Sequence, residues 1–198
     1  LNQITKVNVG WDSVPTEQKD RDRVPTYFNL EPLPPEHPEK GKALATPYAM
    51  QVSGDDSTLV ATAAGSDKLF TVDARTGEII GRVPVGAVPR GVALENTEDG
   101  KPARAWVYNT VANTVSLIDL SDTTSPKVSG FVKLDDPTHR QVKLGRTWFN
   151  DADASSTGTF SCESCHPDTN TDQLLWVLQT PIVTGGNQIM PRSTMPVR

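Results

Sequence analysis

The sequence predicts a mainly β fold of about two repeated antiparallel units, followed by a small segment of short helix and loop. Three observations predict it. Hydrophobic residues make up 36% of the 198-residue chain and charged residues 22%, with 16 prolines, which suits a loop-rich β protein better than a helical bundle. Strand-and-turn runs recur about 46 residues apart across the middle of the chain. Beyond Leu134 that pattern stops and a helical spacing with a tight Cys and His cluster takes over. Three regions follow: residues 1–45, 46–134 and 135–198.

Residues 1–45 read as an extended, proline-rich N-terminal arm. Val7-Asn8-Val9-Gly10 could form a short strand. Pro32, Pro34, Pro35 and Pro38 then fix φ repeatedly and remove backbone donors, favouring a polyproline-like surface connector. His37 lies inside it and is expected to be solvated.

From Pro47 the chain repeats itself. Val60-Ala61-Thr62-Ala63, Gly65-Ser66-Asp67-Lys68 and Leu69-Phe70-Thr71-Val72-Asp73 return as Trp106-Val107-Tyr108-Asn109, Val111-Ala112-Asn113-Thr114 and Val115-Ser116-Leu117-Ile118-Asp119. Pro47-Tyr48-Ala49-Met50 matches Pro89-Arg90-Gly91-Val92 at a shorter offset. Ser66-Asp67, Ala112-Asn113 and Arg75-Thr76-Gly77 are turn signals between β-rich runs. A period in the forties built from such strands is the mark of propeller blades. Here it resembles the YVTN-type repeat family, in which a hairpin leads into a V-x-V-I-D strand and a T-G turn. Val115 to Asp119, and Leu69 to Asp73 with Thr76-Gly77, match that form, and the resemblance runs from Thr46 to Leu134. It implies a partial β-propeller. Two blades do not close a ring, since propellers use about four to eight. The reading therefore expects the missing blades in a longer chain, on another subunit, or replaced by packing on the C-terminal segment, and favours the first. Asp67, Asp73, Asn113 and Asp119 sit where turn and strand-end residues belong.

Residues 135–198 carry the chemistry. Val142, Gly145, Trp148 and Phe149 share one helical face, so Gln141 to Phe149 predicts a short amphipathic helix, and Asn150 to Thr159 a polar loop. The loop delivers Ser161-Cys162-Glu163-Ser164-Cys165-His166-Pro167, a C-x-x-C-H sequence that uses the only two cysteines and one of three histidines. Two thiols at this spacing can add across the vinyl groups of one porphyrin, and the next imidazole can then ligate its iron. Pro167 pushes His166 out of the helical region and should end the turn there. A zinc site would need two further ligands from His37 and His139, and a thioredoxin-like pair would need a helix running on past Pro167. Those readings, and a plain disulfide, are weaker.

Leu144-Gly145-Arg146-Thr147-Trp148-Phe149-Asn150-Asp151, with Gly158 to Asp168, resembles the bacterial di-haem cytochrome c peroxidase superfamily and its L-G-x-x-L-F-x-D and G-x-x-S-C-x-x-C-H pattern. The resemblance implies Cys162 and Cys165 as thioether attachment points and His166 as proximal iron ligand. It departs in having one C-x-x-C-H where the peroxidases use two haems. The sixth iron position is open between Met190, Met195, His139 and no protein ligand. Arg146, Arg192 and Arg140 are candidate propionate partners, and Trp148 and Trp176 candidate ring neighbours.

The expected cofactor is one covalent haem c per chain, and the expected function is single-electron transfer with a redox partner protein, possibly another cytochrome. The alternatives are a peroxidase-like oxidoreductase with its second haem elsewhere, or a propeller binding subunit with a structural haem. A formal charge of −5 argues against nucleic acid. No apolar run approaches a bilayer span, the densest being Leu174-Leu175-Trp176-Val177-Leu178. Haem is generally attached to C-x-x-C-H outside the cytoplasmic membrane, so a periplasmic or extracellular location is expected. The chain opens at Leu1 with no leader pattern, so a signal peptide would have been removed or lie outside the numbered residues.

Overall fold

The computed structural model describes residues 2–7, 25–33, 35–181 and 187–197. Two four-stranded antiparallel sheets organise it. Blade one takes β3 (Pro47–Val52), β4 (Thr58–Ala63), β5 (Lys68–Asp73) and β6 (Ile79–Pro84) in chain order; blade two takes β7 (Pro89–Asn96), β8 (Pro102–Asn109), β9 (Thr114–Asp119) and β10 (Lys127–Lys133). Each strand pairs with the next, so each unit is a meander of the kind a propeller blade uses. The fold is mainly β: a partial propeller of two blades with a small C-terminal segment.

Strand alternation sets what the blades bury. Val60, Leu69 and Val83 of blade one pack against Ala105, Val107, Ile118 and Leu120 of blade two. The intervening residues Leu59, Ala61, Ala63, Phe70 and Val72 point to the other face, so β4 is buried on both sides. On blade two the corresponding outer positions, Trp106 and Tyr108, are exposed, and Phe131 and Val132 of edge strand β10 are exposed as well.

What covers the second face of blade one is the N-terminal region. Two short strands, β1 (Gln3–Lys6) and β2 (Thr26–Asn29), pair antiparallel, and Ile4, Phe28, Leu30 and Leu44 are buried against Phe70 and Val72. Residues 1–45 are therefore not simply a surface arm. The prolines still hold an irregular, exposed connector, but Glu31 ties its two ends together by accepting from Asn2 Nδ2 (2.9 Å) and from the Leu44 amide (3.2 Å). Phe28 also lies against Gly77, whose φ of 78° and missing Cβ admit the ring. A strand lies at Gln3–Lys6; the expected strand at Val7 to Gly10 falls, from residue 8 on, outside the described residues, as does Pro34. His37 is exposed, as expected.

After β10 come α1 (Arg140–Asn150), a short 3₁₀ turn (Ala152–Ala154), the one-turn helix α2 (Cys162–Cys165) and a second 3₁₀ turn (Pro167–Thr169). A final hairpin pairs β11 (Leu175–Pro181) with β12 (Asn187–Ser193). The C-terminal segment, expected from sequence to be short helix and loop, is thus strand over 187–193; Leu175 to Leu178 is a β-rich run and finds its partner there. Gly185 and Gly186 lie outside the described residues.

The C-terminal segment is strapped across one end of both blades. At the tip of the β8–β9 turn, Lys143 Nζ donates to the Ala112 carbonyl (3.0 Å) and Asn113 Nδ2 to the Asp135 carbonyl (2.6 Å). At the repeat-equivalent tip in blade one, the Ala152 amide donates to the Gly65 carbonyl (2.8 Å). Asn2 Nδ2 adds a bond to the Thr159 carbonyl (2.9 Å). The loop leading to Cys162 is therefore held by the scaffold before the site begins.

Candidate functional site

The local sequence makes α2 a single turn. The Ser161 amide donates to Ser164 Oγ (3.0 Å) at its start. At its end the His166 amide reaches the Cys162 carbonyl (3.0 Å), and His166 leaves the helical region at φ −122°, ψ 60°. This is the stop expected before Pro167. Cys162 is exposed, Cys165 half-buried, and both thiols are free.

The His166 ring is oriented. Its Nδ1 lies 3.1 Å from the Asn170 carbonyl oxygen. A carbonyl only accepts, so Nδ1 carries the proton and the Nε2 lone pair is left available to a metal. Such a bond from the far ring nitrogen is how metal-ligating imidazoles are held. Burial pushes the Cys165 thiol up, with Asp172 and Cys162 adding to the effect. That keeps it a protonated thiol at neutral pH, against the lowered value that a thioredoxin-like pair needs. Among the described residues no group of three or more His, Cys, Asp or Glu side chains could hold a metal ion by itself.

Helix α1 contacts α2, and its sequence pattern is met in part. It runs from Arg140 to Asn150, one residue longer at each end than expected, with His139 Nδ1 accepting from the Gln141 amide (3.3 Å) as its cap. Its apolar residues are not packed away. Val142, Leu144 and Trp148 are 49%, 54% and 59% exposed, and Phe160 just ahead of the motif is 53% exposed, while Asn150 is buried. An apolar helix face left open beside two free thiols and an oriented imidazole has the chemistry of a porphyrin bed.

Residues 139–198 match the family described as di-haem cytochrome c peroxidase. Over those residues the C-terminal segment is similar to di-haem cytochrome c peroxidases. No curated protein matches the chain. Among solved structures it is similar to the hydrazine synthase of Kuenenia stuttgartiensis, at 28% identity and a TM-score of 0.39, over 52% of this chain and 27% of that one. It is also similar to a Lactobacillus plantarum protein at 14% identity and a TM-score of 0.43, over 69% of this chain and 37% of that one. A third likeness is to the Cps50 (Swd1) β-propeller domain of Myceliophteria thermophila, at 20% identity and a TM-score of 0.40, over 56% and 35%. The chain thus spans between a quarter and two-fifths of the length of each of these relatives.

Within the segment matched by that family, the residues present would fit a haem: Cys162 and Cys165 for the porphyrin, His166 Nε2 for the iron, and Trp148, Val142 and Phe160 for the apolar ring. The other sequence candidates are placed less directly. Arg146 lines a cavity of about 210 Å³ with Lys143, Asp136 and Thr110, on the blade-two side of α1. His139 is exposed and engaged as the helix cap. Met195 is 77% exposed and follows Thr194, whose carbonyl accepts from Thr171 Oγ1 (3.1 Å). Met190 and Arg192 lie on β12 opposite Leu178 and Trp176, and their side chains, with that of Trp176, fall outside the described residues.

Sequence reasoning missed a residue that joins the C-terminal segment to the blades. Arg90, at the start of β7, sends Nη2 to Glu163 Oε1 (2.6 Å) and Asn150 Oδ1 (3.3 Å), and Nη1 to Asp168 Oδ1 (3.0 Å). The guanidinium lies 5.0 Å over the Tyr48 ring. Burial alone would lower its pKa, but the bond to Asp168 and the charge of Glu163 outweigh that and raise it. The one available signal was the repeat itself, which sets Tyr48 and Arg90 at matching places in the first strand of each blade.

Proposed function

We propose that this chain is a c-type cytochrome carrying one haem, attached through Cys162 and Cys165 with His166 as axial ligand, on a propeller scaffold outside the cytoplasm. The observation that carries the reading is the single turn of α2, which presents two free thiols and then an imidazole with Nδ1 tied to Asn170 and Nε2 left to bind iron. Bound haem supplies a one-electron iron couple. The chain's own residues fix where that couple sits. Asn170 sets the tautomer of His166, the open apolar side chains of α1 would lie against the ring, and the straps at Ala112 and Gly65 hold the segment to the blades.

Export follows from thioether attachment, a chemistry carried out beyond the cytoplasmic membrane; among the described residues no helix is long and apolar enough to cross one. The natural partner is a second redox protein, possibly another cytochrome. The exposed outer face of blade two, with Trp106 and Tyr108, is where further blades would pack, from a longer chain or another subunit.

The test is the intact mass and pyridine haemochrome spectrum of chain made in a host that matures c-type cytochromes. The native chain is expected to gain one haem, and a C162A/C165A variant to gain none. A colourless native chain at its bare polypeptide mass defeats the reading. The family match at residues 139–198 supports a second reading, a peroxidase-type oxidoreductase with another haem elsewhere. A high-spin ferric form that reacts with peroxide would select it, and a low-spin six-coordinate form would select electron transfer.

A further inference from the structure

Blade two reaches α2 through the side chain of Arg90. The straps at Lys143 and Ala152 hold α1 and the 3₁₀ turn behind it, whereas α2 itself is gripped by Arg90 through Glu163, which sits between the two cysteines. The Glu163 side chain is 10% exposed and that of Arg90 20%. Glu163 Oε1 also accepts from the Asp168 amide (3.2 Å), so one carboxylate oxygen fixes both the helix and the turn after His166. A buried ion pair is a poor source of net stability, because desolvation offsets its attraction and apolar residues could fill the same space. Its effect here is a fixed positive and a fixed negative charge at the C-x-x-C-H turn, where low polarity makes each felt strongly.

We propose that Arg90 is a positioning residue for the haem site and that its charge, set against Glu163, tunes the reduction potential of the iron. The proposal rests on the haem reading above. A cation near the iron disfavours the oxidised, more positive state, and an anion favours it. Removing Arg90 therefore lowers the potential and removing Glu163 raises it. A purely structural clamp behaves differently, since loosening it from either end opens the same site and moves the potential the same way.

The experiment is a spectroelectrochemical titration of the haem-loaded full chain as wild type, R90Q, R90K, E163Q and R90Q/E163Q, with haem content measured on each. R90Q is expected to shift negative, E163Q positive and the double variant to fall between them. R90K, which keeps the charge but loses the forked geometry, should move less than R90Q. Same-sign shifts in the two single variants, or no shift in either, overturn the proposal. If R90Q does not load haem, E163Q decides alone: a positive shift supports the proposal and any other result overturns it. A wild-type chain without haem defeats the haem reading and this proposal together; a loaded wild type with unshifted variants defeats only this one.

Discussion

Asp67 and Asn113 stand one repeat apart and share an unusual backbone, with φ of 52° and 54°. Asp and Asn enter that left-handed region more readily than other side chains, which is why both turns carry them. Asp67 also accepts from the Val88 amide (2.8 Å). Burial pushes its carboxyl up, with Asp151 and Asp153 adding and the Val88 bond opposing. A raised acid binds its proton more tightly folded than unfolded, so its cost to stability is absent below the unfolded value of about 3.9 and appears as pH rises through the folded value. Asp67→Asn keeps the acceptor and the turn while removing the charge. The variant is expected to be more stable than wild type at pH 7 and equal to it below about pH 4. Urea unfolding at the two pH values measures this.

At the scale of elements, α1 shows how a helix can follow its sequence pattern and still leave its apolar face uncovered. Its attachment is polar. Lys143 Nζ lies 2.7 Å from Asp136 Oδ2, and the Lys143 bond, followed by those from Thr138, draws the Asp136 carboxyl down to about 2. A depressed acid contributes stability that is complete above its unfolded value of about 3.9 and is lost as pH falls through the folded one. Wild type should therefore lose more thermal stability than Asp136→Asn between pH 4 and pH 2. Parallel slopes in that window would show that the Lys143 pair does not hold the helix. The hairpin of β11 and β12 makes the complementary point: an apolar run followed by glycines became a strand pair, because its backbone groups found partners in each other.

Across the whole molecule, contacts between distant parts of the chain decide what is core. Leu44 is fully buried with Phe70, although it follows a proline-rich, largely exposed connector. Leu44→Ala is expected to cost about 2–5 kcal/mol, the range for a truncated core leucine, where a residue on a solvated arm would cost almost nothing. Denaturant unfolding separates the two. The same long reach places the C-terminal segment, which touches β7 through Arg90, both hairpin tips through Lys143 and Ala152, and the N-terminal region through Asn2.

What the sequence determined by itself was local. The repeat spacing, the turn residues at Asp67 and Asn113, the helix near Val142 to Phe149, and the Cys162, Cys165 and His166 motif all depend on neighbours within a few positions, where steric and hydrogen-bonding preferences act directly. The tertiary structure alone decided that Ile4, Phe28, Leu30 and Leu44 close one face of blade one, that the apolar face of α1 stays open, and that Arg90 pairs with Glu163 73 residues away. Those outcomes depend on which surfaces meet once the chain has folded, and burial between remote segments leaves no periodic trace in the order of the residues.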